Sequence, residues 1–218
     1  MIEDPAACLQ PTRFVDSDTP EVREFAARAA DGASTPRERA VALYYAVRDG
    51  LRYDPYAVAI EPDSYRASRV ARASSGFCVP KAILLAAGAR ALGIPARLGF
   101  ADVRNHLASE KLLARMKTDL FVFHGYTELY LDGAWRKATP AFNRELCARF
   151  GVLPLEFDGT ADALLHPFDA AGRRHMEYVR DRGVHLDFPF DEMMRVFRAV
   201  YPPSILATAP ERDPAFHS

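Results

Sequence analysis

Ser74-Ser75-Gly76-Phe77-Cys78-Val79-Pro80-Lys81-Ala82-Ile83-Leu84-Leu85-Ala86-Ala87-Gly88-Ala89-Arg90-Ala91-Leu92-Gly93-Ile94-Pro95 is the stretch on which the fold turns. Cys78, Ala82, Leu85, Ala89 and Leu92 recur at alternating spacings of four and three, the period of a helix with one buried face, and Ile83 and Ala86 widen that face. Proline is tolerated only in a first turn, which suits Pro80, and Gly93-Ile94-Pro95 stops the helix. The helix therefore runs from Cys78 to Leu92, with Cys78 at its N-terminal end.

Upstream, Thr19-Pro20 opens a helix through Ala30 with Thr as N-cap and Pro at the first helical position. Thr35-Pro36-Arg37-Glu38 is a capping box for a second helix, whose apolar face is Val41, Ala42, Tyr45 and Ala46 and which ends at Gly50. Arg52 to Arg72, with Asp54-Pro55 and Glu61-Pro62, reads as a long irregular crossing segment.

Downstream, Arg97–Val103 is a strand and Asn105–Lys117 a polar, helical connection. Phe121–Leu131 is rich in aromatic and β-branched residues, and Asp132-Gly133 is a two-residue type I′ turn before the return strand Ala134–Thr139. That turn sets Leu131 against Ala134, Tyr130 against Trp135, Glu128 against Lys137 and Tyr126 against Thr139. With period two, His124, Tyr126, Glu128 and Tyr130 share a face, and Thr139 joins it. Helices follow at Arg144–Phe150, Ala170–Arg182 and Asp191–Tyr201, and the Pro-containing, aperiodic stretch from Ser204 to Ser218 reads as a loosely held tail. The domain reading is a core over residues 1–143 with its N-terminal helices, a helical extension of the same domain over 144–203, and a tail over 204–218.

With 218 residues and 49% hydrophobic content the chain can bury a sizeable core. Its 28 Lys and Arg balance 29 Asp and Glu, which argues against nucleic acid or an anionic membrane as main partner. No apolar run is long enough to cross a bilayer and the first residues carry no leader pattern, so the expected location is cytoplasmic. The three cysteines Cys8, Cys78 and Cys147 are far apart, with no Cys-x-x-Cys, and no histidine pair has metal-ligand spacing. Neither a disulfide framework nor a metal site is expected. His106, His166, His175 and His185 carry no catalytic context and are read as packing or surface residues.

A thiol at a helix N-terminus faces unpaired backbone N–H groups and the positive end of the dipole, which favour thiolate. Those N–H groups can also receive the oxyanion formed when a thiolate attacks a carbonyl. Most free cysteines are simply small buried hydrophobes, and Cys8 and Cys147 are read that way.

Gly76-Phe77-Cys78, with Leu84-Leu85-Ala86 and Arg90-Ala91-Leu92-Gly93-Ile94-Pro95-Ala96-Arg97, resembles the cysteine segment of transglutaminase-like proteins. His124-Gly125-Tyr126-Thr127-Glu128-Leu129-Tyr130-Leu131-Asp132-Gly133 through Trp135 is similar to that family's histidine strand and hairpin, so the resemblance spans roughly residues 35 to 143. It implies an α+β, papain-like fold with the nucleophile helix packed on an antiparallel sheet, and a Cys78–His124 pair of nucleophile and general base. The family's usual Asp, four residues after the hairpin Trp, is replaced by Thr139, whose hydroxyl can accept from an imidazole but carries no charge. Asn143 and Asp102 are the other candidates for orienting His124, each with an ordinary role open to it: a helix N-cap for Asn143 and a strand-end turn for Asp102.

Tyr126 and Trp135 are either groove-lining residues or a packing pair, and Asp169–His175 is a candidate cover for the site. The implied chemistry is acyl transfer through a thioester, acting on a peptide, protein or small amide substrate without a cofactor. A catalytically silent peptide- or protein-binding module is the second expectation, and a redox sensor a weaker third.

Overall fold

The computed structural model describes residues 4–106, 108–164, 171, 175–206 and 216. Three helices, α1 (Pro20–Ala29), α2 (Pro36–Gly50) and α3 (Ala67–Val70), surround a central helix α4 (Cys78–Ala91). The capping box of α2 forms as its sequence requires: Thr35 Oγ1 accepts from Glu38 N, and the Glu38 carboxylate accepts from Thr35 N at 3.0 Å. Between these helices run β1 (Arg52–Tyr53) and β2 (Ser75–Gly76), a short parallel pair that sets Tyr53 beside Gly76 and so next to the start of α4.

On the other side of α4 stands a four-stranded antiparallel sheet. Its strands are β3 (Ala96–Asn105), β4 (Leu120–Leu131), β5 (Ala134–Ala138) and β6 (Met176–His185), in the order β5-β4-β3-β6. Helix α5 (Glu110–Met116) joins β3 to β4, α6 (Arg144–Phe150) follows β5, and α7 (Phe190–Val200) follows β6. No helix among the described residues is long and apolar enough to cross a membrane.

Sandwiched between helices and sheet, α4 is buried on every side from Cys78 to Arg90, not on the single face its four-three spacing predicts. The two charged residues in its interior conceal this in the sequence, because each is buried with partners. Lys81 Nζ donates to the Arg48 and Leu51 carbonyls at the end of α2. Arg90 donates to the carbonyls of Ala96, Gln10 and Leu186 at 3.0, 2.7 and 2.6 Å, tying three distant segments to the helix end. Buried polar groups are tolerated when satisfied in this way.

The hairpin keeps the predicted register at Leu131–Ala134, Tyr130–Trp135 and Glu128–Lys137, with positive φ at both Asp132 and Gly133 as a type I′ turn demands. The fourth expected pair, Tyr126–Thr139, does not form. The ladder ends at Thr127–Ala138, and Thr139 N donates instead to Ala163 O. The edge strand β6 is the larger correction, since the sequence assigns a helix to Ala170–Arg182. Met176–His185 pairs antiparallel with β3, and the remainder of that stretch lies outside the described residues except for Ala171 and His175. Its exposed run Tyr178 to Asp181 and its four charged residues are those of an edge strand, which hide the period-two alternation of a half-buried one.

Candidate active site

Cys78 is the first residue of α4, and its N-cap Phe77 makes no side-chain capping bond, so no side chain competes for the first-turn N–H groups. The thiol is nearly enclosed at 7% exposure. Backbone N–H groups of Gly125, Val79 and Cys78 itself favour thiolate, yet burial outweighs them and pushes the thiol up to about 11. The lowered pKa expected from the helix terminus alone is therefore not met in this closed arrangement, because desolvation disfavours the charged form more than three donors recover.

His124, on β4, lines the same cavity as Cys78, a space of about 50 Å³. Two features of β4 place it there. Gly125 lies directly under the first turn of α4, where a Cβ would meet Val79 Cα at 3.1 Å and the Cys78 carbonyl oxygen at 3.4 Å. Two residues further on, Thr127 Oγ1 donates to Ala82 O at 2.8 Å and fixes the strand against the helix.

A β-bulge immediately precedes the histidine: Ala101 faces His124 and Val103 faces Phe121, so Val122 and Phe123 together oppose Asp102. Phe123 takes φ +58, an uncommon conformation for a bulky residue. Its N–H, displaced from the ladder, donates to Asp102 Oδ1 at 3.1 Å, and its ring lies under the Arg182 guanidinium at 4.5 Å.

Of the three residues expected to orient His124, Thr139 is the one that lines a cavity with it. Thr139 and His124 share a small cavity of about 10 Å³, and Thr139 Oγ1 is buried without a hydrogen-bond partner among the described residues. Asp102 is 4% exposed and forms a two-pronged ion pair with Arg182, Nη2 to Oδ2 being 2.8 Å. Its carboxylate is thus engaged with Arg182 and the Phe123 backbone, which makes it an anchor of the bulge. Asn143 is turned away: it precedes α6 without capping it, and its Oδ1 accepts from Tyr53 N at 3.1 Å. Tyr126 and Trp135 line no cavity with Cys78. Tyr126 lies across Gly99, and Trp135 packs at a tilt against Tyr130 with the Arg97 guanidinium 4.0 Å from its ring centre, so both are packing residues.

The roof of the cavity carries no mark in the sequence. Leu112 and Met116 from α5, Phe197 and Tyr201 at α7, and Ile205 line the cavity above Cys78. The Tyr201 hydroxyl accepts from Val122 N at 2.8 Å and donates to Leu120 O at 3.2 Å, holding the end of α7 to the histidine strand. The paired apolar positions of α7 were legible as an amphipathic helix, but nothing in their spacing says which surface they cover. Arg182 was missed with its strand.

A buried cysteine at the N-terminus of a central helix, sharing a cavity with a histidine on the adjoining antiparallel sheet, defines the class of papain-like thiol folds. The signature of the transglutaminase-like superfamily matches residues 23–140, just over half of the chain, and the chain belongs to that superfamily. Among solved structures it is similar to a candidate cysteine protease from Cytophaga hutchinsonii, with 19% identity and a TM-score of 0.50 over 85% of this chain and 55% of that one. A candidate protease from Parabacteroides distasonis is 20% identical with a TM-score of 0.41, over 62% of this chain and 26% of its own. This chain thus spans about half or less of the length of the structures it matches. No curated protein matches it.

Proposed function

We propose that this chain is a cysteine-dependent enzyme acting on an amide or peptide carbonyl through a thioester. The observation that carries the reading is that Cys78, at the uncapped start of α4, and His124, set by the close approach of Gly125, line one cavity. The neutral thiol gives its proton to His124 as Sγ attacks the carbonyl carbon, so a raised thiol pKa calls for concerted base catalysis where a preformed ion pair is lacking. Backbone N–H groups at the start of α4 receive the oxyanion. Collapse of the tetrahedral intermediate breaks the C–N bond, and the imidazolium protonates the departing amine. Water, or an amine in a transamidation, then attacks the thioester with His124 again as base, and the thiol is regenerated. Thr139 is the neutral neighbour of His124, and Asp102 acts on it through Phe123.

A second reading has its own support: the missing carboxylate at Thr139 and the raised thiol pKa are also what a silent peptide-binding domain would show. p-Nitrophenyl acetate, an activated acyl donor, separates the two. The enzyme reading expects a nitrophenolate burst and an acetyl adduct on Cys78 that turns over, both lost in Cys78→Ala and slowed at least tenfold in His124→Ala. Absence of any Cys78 adduct would leave the binding role.

A further inference from the structure

Beside the Cys78 cavity lies a second one of about 30 Å³, and Tyr53, Leu112 and Phe121 line both. One of its walls is Phe216, a residue far along the chain that is nonetheless buried at 6% exposure. Its ring sits among three others: Phe150 at 5.5 Å, Tyr56 at 5.9 Å and Tyr53 at 6.3 Å, with tilted or edge-on planes. Tyr53 is itself held edge-on to Phe142 at 4.8 Å, and the Arg115 guanidinium lies 5.4 Å from the centre of the Tyr56 ring. Such ring-to-ring geometry favours another aromatic group over an aliphatic one of similar size. The surrounding sequence, Glu211-Arg212-Asp213-Pro214-Ala215-Phe216-His217-Ser218, offers Phe216 as its single aromatic residue apart from a histidine.

We propose that this aromatic box is a substrate subsite for a phenyl-type side chain of a peptide acyl donor, and that Phe216 occupies it as an internal competitor. The proposal rests on the cysteine-enzyme reading for the word substrate, and on the ring geometry alone for the box. Tyr53 connects the two spaces, so a peptide whose aromatic side chain enters the box has its backbone at the wall of the Cys78 cavity. A side chain tethered to the same chain competes at high effective concentration, and its removal should raise the apparent affinity of a free ligand.

The test is calorimetric titration with N-acetyl-L-phenylalaninamide and N-acetyl-L-alaninamide, using full chains that carry Cys78→Ala so that no turnover intervenes. Relative to that background, adding Phe216→Ala should tighten the phenylalanine amide at least tenfold and leave the alanine amide unchanged, and Phe150→Ala on top should remove the gain. Phe216→Leu, which keeps an apolar filler and loses the ring, should give a smaller gain of the same sign and serves should the alanine variant not fold. In trans, a synthetic peptide of residues 211–218 should bind the Phe216→Ala chain, and its own Phe216→Ala analogue should not. Equal binding of the two amides, or no gain in either Phe216 variant, would overturn the proposal whatever Cys78 does with p-nitrophenyl acetate. The expected selectivity without a Cys78 adduct would uphold the box and overturn the catalytic reading instead.

Discussion

Gly125 lies so close beneath Val79 that a Cβ at position 125 would come within 3.1 Å of the Val79 Cα. This approach joins the histidine strand to the nucleophile helix, and it places the Gly125 N–H where it favours a Cys78 thiolate. Gly125→Ala must push strand and helix apart. The expected cost is about 1–3 kcal/mol of stability, by the overpacking of a tight core, together with a Cys78 acetylation rate reduced at least tenfold. Denaturant unfolding and the nitrophenolate burst read the two effects separately.

The Phe123 bulge is held by a buried ion pair, so Arg182→Ala leaves the Asp102 carboxylate without its partner. Breaking such a pair typically costs about 3–5 kcal/mol. Asp102→Asn retains an acceptor for Phe123 N and should keep more of the His124-dependent rate than Asp102→Ala does. Equal losses in the two Asp102 variants, measured as burst rates, would deny the backbone-anchoring role.

Thr139 Oγ1 is buried with no hydrogen bond among the described residues, so Thr139→Val should not destabilise the fold and is expected to change thermal stability by less than about 1 kcal/mol. Thr139→Asp restores a carboxylate beside His124. We expect it to raise the Cys78 acetylation rate at least several-fold while lowering stability, since it buries a charge. An unchanged or lower rate in the aspartate variant would show that position 139 does not act on the imidazole.

Lys81 gives a pH signature. Burial lowers its ammonium to about 7 in the fold, whereas an unfolded lysine holds its proton to about 10. Between those values the unfolded chain binds more protons, so this group makes stability rise with pH across that window and leaves it level below about 7. The expected gain from about pH 7 to 9 is on the order of 2 kcal/mol. Lys81→Met should flatten the curve over that range in urea titrations, and an unchanged slope would refute the assignment.

Helix α4, the hairpin and the Cys78–His124 candidates were legible because periodicity, turn chemistry and two ordered motifs all report on local sequence. What escaped was set by distant partners. β6 looks helical or unstructured because four of its ten residues are charged and only Met176 is buried, and its strand character comes from the open edge of β3. The bulge at Phe123 has no sequence mark, since Phe suits a regular strand and takes φ +58 only against Asp102 and Arg182. The expected low thiol pKa failed for a related reason: position on a helix was readable, whereas the roof of α5 and α7 that dehydrates Cys78 was not. Phe216 lies in a stretch whose composition suggests a loose tail, and the rings of Tyr53, Tyr56 and Phe150 that surround it are distant in sequence.

The most direct test of the central claim, that Cys78 and His124 act as one unit, is the pH dependence of iodoacetamide alkylation at Cys78. Mass spectrometry resolves it from Cys8 and Cys147, in the native chain and in His124→Ala. The account predicts that native Cys78 reacts at neutral pH faster than an isolated thiol of pKa about 11 allows, and that His124→Ala abolishes this excess, leaving a rate that climbs tenfold per pH unit as thiolate alone forms. Identical profiles in the two proteins would contradict the pairing and with it the enzyme reading.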